Sequence, residues 1–413
     1  MKQTVRVATL LSLSAATLLA SGYRIPEQSL NSVALSAAYV AGANGADASY
    51  YNPANMSFME NGAFTEVAMT YINLPKVNYT AAGATPAGNA NGDSKEEQFL
   101  MPNLHYVSPK MGDWRYGLSI TAPAGLSKRW DESYQMRTSE EFTLKVIEVN
   151  PTVSYLVTDQ FSLGFGLRGV YTDGVVKSNA GTATRDLTGD SIDFGYNLAM
   201  SYKPIKDLTF SATYRSKVDL TVEGEATLVH PLIAGGRYSG GASVTIPLPA
   251  SLALATAYTM DKTTVEFVFE RTYWSSYKEL DFNYDSTLST TGGTSSPYAV
   301  FDSPRPKNWK DVNAYRIGIS HQYSDALKLM AGFAIDKTPV PDSTLGFELP
   351  DSDAKLYSVG FEYKLSQNLK VGLAYLYDDK EERSVTNTSS SAPSGTFTDS
   401  SAHLLTASFK YKF

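Results

Sequence analysis

Residues 209–222 read TFSATYRSKVDLTV, and their alternation decides the fold class. Phe210, Ala212, Tyr214, Val218, Leu220 and Val222 fall on one face; Thr209, Ser211, Thr213, Arg215, Lys217, Asp219 and Thr221 fall on the other. A period of two belongs to a β-strand, and a fully polar reverse face places the strand between two media of opposite character. Tyr357, Val359, Phe361, Tyr363 and Leu365 repeat the pattern opposite Ser358, Gly360, Glu362 and Lys364, as do Val265, Phe267 and Phe269 opposite Thr264, Glu266 and Glu270. The chain ends on Leu405, Ala407, Phe409, Tyr411 and Phe413 against Thr406, Ser408, Lys410 and Lys412. A soluble sandwich could supply any one of these strands. Charges on the polar face, with large aromatics near the ends of the apolar one, fit an apolar exterior and a wet interior better.

The connections count the strands. Short ones fall around Lys110 to Asp113, Thr158 to Gln160, Lys203 to Asp207, Met260 to Lys262, Tyr323 to Ala326 and Leu365 to Asn368. Long ones, rich in Gly, Ser, Thr, Asn and Pro, fall at 75–97, 126–140, 178–190, 224–243, 285–310, 337–353 and 379–400. Tight periplasmic turns and extended external loops alternate in this way in outer-membrane barrels. Seven long and six short connections predict an all-β fold, a fourteen-stranded antiparallel transmembrane β-barrel with both termini periplasmic.

Composition agrees. Lys2 and Arg6 precede an uncharged apolar run from Val7 to Ala20, followed by Ser21 and Gly22, which reads as a signal peptide over residues 1–20. Cysteine is absent, so an exported chain of this size must draw stability from elsewhere, and a closed hydrogen-bond ladder offers it. A net charge of -7 argues against a nucleic-acid partner. The 27 Tyr and 18 Phe suit interfacial girdles in an outer-membrane lipid environment.

Residues 21–61 do not fit the wall. GYRIPEQSLNSVALSAAYVAGANGADASYYNPANM is rich in small residues and lacks alternation. Leu30, Val33, Ala34, Ala37 and Ala38 allow a short helical turn or two before Gly42, Gly45 and Pro53 interrupt. Such a segment needs walls, and residues 62–413 supply them, so it is expected as an N-terminal lumen plug containing short helices.

Gly22-Tyr23, Ala46-Asp47-Ala48 and Asn52-Pro53-Ala54 resemble the N-terminal hatch of the FadL family, bacterial outer-membrane channels for long-chain fatty acids and hydrocarbons. Further likenesses follow in family order: Ser119-Ile120-Thr121 with Ala124-Gly125-Leu126, Trp274-Ser275, Ala314-Tyr315-Arg316-Ile317, Pro339-Val340-Pro341 and Leu349-Pro350-Asp351. The terminal Phe413 with its alternating aromatics resembles the signal read by the barrel-assembly machinery.

The resemblance implies capture of hydrophobic small molecules, a pocket beside the hatch and sideways exit through a kinked third strand. Pro123 and Gly125 interrupt that strand, marking a bulge, a bend or simply its end; the resemblance favours a lateral opening. Tyr23 becomes a pocket residue, and Lys177, Arg305 and Lys307 become candidates for a ligand's carboxylate. Arg168, Arg215, Lys217 and Arg316 read as inward-facing lumen residues paired with acids. Leu228, Val229, Leu232 and Ile233 form an apolar cluster in a polar loop, either packed against neighbouring loops or serving as an external capture surface. Its partner stretch, Ser178 to Asp190, is short and polar, unlike the family's two-loop groove.

Gly164-Phe165-Gly166-Leu167-Arg168-Gly169 matches GxGxxG but lies in an alternating strand with no following helix, so small lumen-facing residues explain it better than a dinucleotide site. His105, His230, His321 and His403 are scattered without HExxH or GxSxG, so no metal, cofactor or catalytic centre is called for. A general aqueous porin and an outer-membrane lipid hydrolase are the alternatives.

Overall fold

The computed structural model describes residues 22–83, 90–386 and 393–413; the expected signal peptide lies outside them. Eighteen strand segments hydrogen-bond into one sheet that closes on itself, the first strand (Phe64–Leu74) pairing with the last (Ser401–Lys412) and with the second (Glu97–Val107). Four strands consist of two segments each, which makes fourteen antiparallel strands. Closure leaves no unpaired edge, the condition for a sheet to cross hydrocarbon.

The third strand runs Trp114–Thr121 and then Gly125–Arg129; the fourth, fifth and sixth are Glu141–Thr158, Phe161–Asn179 and Thr184–Ile205. The seventh joins Leu208–Arg215 to Val218–Val229, the eighth Arg237–Leu248 to Ser251–Met260, and the ninth Thr263–Thr272 to Phe282–Tyr284. Val312–Gln322, Leu327–Asp336, Ala354–Lys364 and Leu369–Lys380 lead to the last strand. All six short turns stand where expected. Three long connections are shorter than their composition suggests: the loops expected at 126–140, 178–190 and 224–243 are partly strand. Backbone pairing needs no apolar side chain, and polar residues on both faces mark strand that projects beyond the membrane.

The seventh strand corrects its own pattern. Phe210 is 44% exposed and faces outward, but Val218, Leu220 and Val222 are buried, while Asp219 and Lys217 are exposed and paired with each other at 2.8 Å. The two faces change places at the break after Arg215, so Lys217 is no lumen residue. The pairing explains it: Arg215 stands opposite Asn197 but Glu223 opposite Asp190, one residue out of step. A slip of one residue sends every later side chain to the other face. The eighth strand breaks at residues 249–250 and keeps its partner in register across both segments. Inward positions beyond these breaks are apolar: Val222, Val244, Ile246, Leu144 and Leu126 are all buried. The lumen is therefore polar towards the short turns and apolar towards the long loops, not wet throughout.

Residues 22–61 lie within the wall. Ser29 caps the helix Leu30–Ala34, accepting from the Ser32 N–H; Ala48–Tyr51 and the 3-10 turn Pro53–Phe58 follow. The Glu266 carboxylate on the ninth strand accepts from the N–H groups of Val40, Ala41 and Gly42 at 2.6, 2.6 and 2.9 Å. Asn55 Nδ2 donates to the carbonyls of Val40, Ala41 and Ala43, and Asn52 Nδ2 reaches Val40 O, Ser201 and Ser211. A Cβ on Gly164 would lie 2.5 Å from Ala54 N and 2.8 Å from Pro53 Cβ, so that glycine clears space for this turn. Over the long-loop end, Asn78–Ala81, Gly92–Asp93, Arg383–Val385 and Gly395–Thr398 form a second small sheet.

Candidate functional site

The third strand breaks at residues 122–124, and the pairing shows a bulge there. Thr121 pairs with Glu148 and Gly125 with Lys145, so three residues of the third strand stand opposite two of the fourth. The second strand loses its partner at the same height. It pairs with the third only through Leu104–Val107, leaving 98–103 unmatched on that side until Lys95 N–H donates to Arg129 O. Between these points the wall has a window.

The segment after Gly22 binds to the window's inner edge. Ile25 N–H donates to Pro123 O and Gly125 N–H to Tyr23 O, both at 2.9 Å, and Arg24 bridges to Ala124. Proline has no N–H, so at Pro123 only its carbonyl can join such a strand pair. Gln28 completes the join through its side chain, which meets the backbone of Ala122 at both N–H and C=O. Pro123 and Gly125 thus sit where the sequence placed an interruption, and the gap is tied to the plug.

Beyond the bulge lies an apolar pocket lined by Tyr23, Leu126, Phe142, Leu144, Ile246, Tyr277, Trp309 and Leu349, with Lys307 and Glu348 at its margin. Tyr23 donates from its hydroxyl to Pro247 O at 2.5 Å, and its ring centroid lies 4.7 Å from Trp274 and 5.7 Å from Trp309. Burial pushes the Tyr23 phenol well above its ordinary value, so it remains a neutral donor. Gly22 turns at φ +71°, and a Cβ there would meet both Trp274 and Trp309 at 2.8 Å. The cavity measures only about 20 Å³, room for a single water. A bulky ligand must displace these rings.

The charged candidates separate. Lys307 lies at the pocket and is bound to Glu348; burial raises the Glu348 carboxyl, but the adjacent ammonium more than offsets this and holds it below the usual range. Arg305 donates to Val300 O outside the pocket lining, and Lys177 pairs with Glu141 at 3.5 Å on the projecting hairpin. Arg168 and Arg215 share the Glu148 carboxylate, and Arg316 holds Asp336 at 3.1 Å, which is how lumen cations pair. Leu228 is fully buried and Ile233 packs on the interior, whereas Val229 and Leu232 are exposed at 37% and 44%; the apolar cluster is divided, not one open surface. The residues that sequence reasoning missed are Leu126, Phe142, Leu144, Ile246, Tyr277, Trp309 and Leu349. Leu126, Phe142, Leu144 and Ile246 belong to apolar inward strand faces, which a period-two reading assigns to lipid, whereas Tyr277, Trp309 and Leu349 come from long connections. On the short-turn side a second cavity of about 1030 Å³ opens below the plug, lined by Tyr39, Gly45, Lys206, Asp261, Lys262 and Lys412 among others. Among the described residues no cluster of His, Cys, Asp and Glu could hold a metal.

Residues 11–413 match the family described as Outer membrane protein transport protein (OMPP1/FadL/TodX). The chain is similar to the long-chain fatty acid transport protein of Escherichia coli K12, 24% identical over 376 residues that cover 79% of this chain and 80% of the relative. In fold it resembles the crystal structure of a Pseudomonas aeruginosa FadL homologue, with a TM-score of 0.82 at 19% identity, covering 95% of this chain and 100% of that one. It also resembles the Ralstonia pickettii toluene transporter TbuX, with a TM-score of 0.68 at 18% identity, covering 93% and 98%.

Proposed function

Starting from a chain that belongs to the OMPP1/FadL/TodX family of outer membrane transport proteins, we propose that it takes up hydrophobic molecules passively, long-chain fatty acids or hydrocarbons. The observation that carries this reading is the adjacency of three features: a bulged third strand, an unmatched stretch of the second strand, and a ring-lined apolar pocket whose residue Tyr23 pairs with the bulge.

Capture takes place at the long-loop end, where Val229 and Leu232 are exposed. Transfer into the pocket follows as the rings of Tyr23, Trp274 and Trp309 separate; each buried methylene of a ligand tail then contributes roughly 0.8 kcal/mol. Withdrawal of Tyr23–Ile25 from Pro123 and Gly125 opens the window, and the tail passes sideways between the second and third strands into hydrocarbon. No energy input is required, since the ligand leaves one apolar environment for another. The plug disfavours an aqueous porin, because Glu266 of the ninth strand and Asn52, bound to Ser201 and Ser211, pin it across the lumen.

Replacing Ala122-Pro123-Ala124 by Thr-Val, one residue shorter, restores register with the fourth strand. Uptake of radiolabelled oleate and of toluene by cells lacking other transporters should then fall to background while the barrel still assembles. Uptake at the original rate would refute sideways exit.

A further inference from the structure

We propose that the large cavity below the plug binds a soluble phosphate-class oxyanion entering from the short-turn side, held by Lys328, Lys364, Lys370 and Lys410. This site is separate from the apolar pocket and does not depend on the transport reading above.

The chain carries a net charge of -7, yet this cavity of about 1030 Å³ is lined by eight lysines against five acidic residues. The excess gathers on the last four strands before closure. On their inward faces Lys328 stands opposite Glu362, Lys364 opposite Lys370, and Lys370 opposite Lys410. Directly opposed side chains have Cβ atoms roughly 5 Å apart, and like charges there repel. The buried Glu362 takes Lys410 at 2.8 Å and Lys370 at 2.9 Å, and Lys410 also lies 3.7 Å from Glu66. Among the described residues the ammonium groups of Lys328 and Lys364 make neither a hydrogen bond nor an ion pair. The other lining acids are spent or distant: Glu266 holds the plug backbone, Glu60 pairs with Lys412 at 2.7 Å, and Asp207 and Asp261 lie in the turns after the sixth and eighth strands.

Four ammonium groups thus share the carboxylates of Glu362 and Glu66, and a ligand with two negative charges balances the set. A phosphate group carries close to two charges at neutral pH and presents acceptor oxygens on several sides, which suits point-charge donors arriving from adjacent strands. The ligand is soluble, because these side chains face the bore of a closed sheet and bilayer lipid lies outside it. Two residues further along the same inward faces, Gly360 and Gly372 receive the plug: a Cβ on Gly360 would lie 2.6 Å from Ala34 Cβ, and one on Gly372 2.1 Å from Leu30 Cδ2. The lysine row therefore lies directly beneath the helix Leu30–Ala34, and Asn31 and Leu35 of the plug line the same cavity. A bound anion removes the repulsion under that helix and steadies its seat.

The test is calorimetric titration of inorganic pyrophosphate into the full-length protein in phosphatidylcholine nanodiscs, with ionic strength held constant by chloride. Lys328→Gln and Lys364→Gln remove charges that hold no partner, so neither leaves an acid unpaired. Each should weaken pyrophosphate about 10- to 100-fold, whereas Lys355→Gln, which removes a lysine paired with Glu381 at the long-loop end, should leave it unaltered. Pyrophosphate should also slow amide exchange over Leu30–Ala34 in the parent and not in the two cavity variants. Succinate, a dicarboxylate, serves as the second arm, and binding as tight as that of pyrophosphate would overturn the phosphate class. No binding to the parent, equal binding to all three variants, or binding without any change at the plug helix would overturn the site.

Discussion

The side chain of Gln28 treats the backbone of Ala122 as a strand partner: its Oε1 accepts from the Ala122 N–H and its Nε2 donates to the Ala122 carbonyl, each at 2.8 Å. A side-chain amide has the donor and acceptor of a peptide unit, so it can extend a ladder by one rung from outside the sheet. The plug is thereby joined to the wall at the place where the wall departs from regular strand.

Gln28→Ala removes that rung and leaves two buried backbone groups at Ala122 without partners, on the order of 1–3 kcal/mol each. The barrel should still assemble and run as a heat-modifiable band, with the Ala122 amide exchanging hydrogen faster by at least ten-fold. Unchanged exchange would show that the window does not depend on this contact.

Glu266 grips the plug from the wall, and Glu266→Ala deletes three hydrogen bonds to Val40, Ala41 and Gly42. The expected loss of plug docking is on the order of 3 kcal/mol. Limited proteolysis should cut the variant between residues 38 and 46 while the strands stay protected. Brief conductance events in planar bilayers should be more frequent than in the parent.

Glu27 predicts a dependence on pH. It is fully buried and its carboxylate is bound by no other side chain among the described residues, with Arg316, Asp336 and Asp378 of the wall around it, while Arg24 in the plug is taken by Glu270 of the ninth strand. Burial, only partly opposed by Arg316, raises its carboxyl from 4.5 to about 7. The docked plug therefore keeps a proton that the released segment gives up, and docking weakens as pH rises from 4.5 to about 7, then levels. Glu27→Gln should flatten the slope and tighten docking at pH 8 by up to about 3 kcal/mol, what remains belonging to Glu66 and Glu266, whose carboxylates accept from the plug backbone. Plug amide exchange measured from pH 5 to 8 checks this, and a slope unchanged in the variant would assign it to other groups.

Lumen glycines should differ sharply from outward ones. A Cβ on Gly332 would lie 2.1 Å from the carbonyl carbon of Leu35, whereas one on Gly169 finds nothing nearer than 3.8 Å. Gly332→Ala should cost about 1–3 kcal/mol through displaced plug backbone, and Gly169→Ala almost nothing. Thermal melting of the two variants compares them directly.

Much of this architecture could be read from residues. The count of fourteen followed from where turn-forming residues cluster, because a hairpin needs them at a tight bend. Asn52 stood out with Pro53 and Ala54, and its amide does hold that turn to the wall at Ser201; Asn55, which no motif marked, binds the Val40–Ala43 backbone in the same way. What escaped was everything that depends on a single-residue slip. Val218, Leu220 and Val222 keep the same alternation as Phe210 and Tyr214, so nothing local tells which medium they meet. Only pairing to Asp190 and Asn197 on the sixth strand decides it. The pocket was hidden partly for the same reason, at Leu126 beyond the bulge, and partly because Tyr277, Trp309 and Leu349 reach it from connections whose paths no periodicity reveals.

The paired breaks in the seventh and eighth strands have a consequence for how such a cylinder can diverge. Because both neighbours slip together, rungs beyond the break still meet, and the circumference is untouched. An insertion or deletion of one residue, made in step on adjacent staves, can thus exchange oily for watery lining over half the bore without rebuilding the rest. Cargo preference can drift by moving that seam up or down, provided the outer face, which changes in the same step, stays beyond the reach of lipid as Lys217 and Asp219 do.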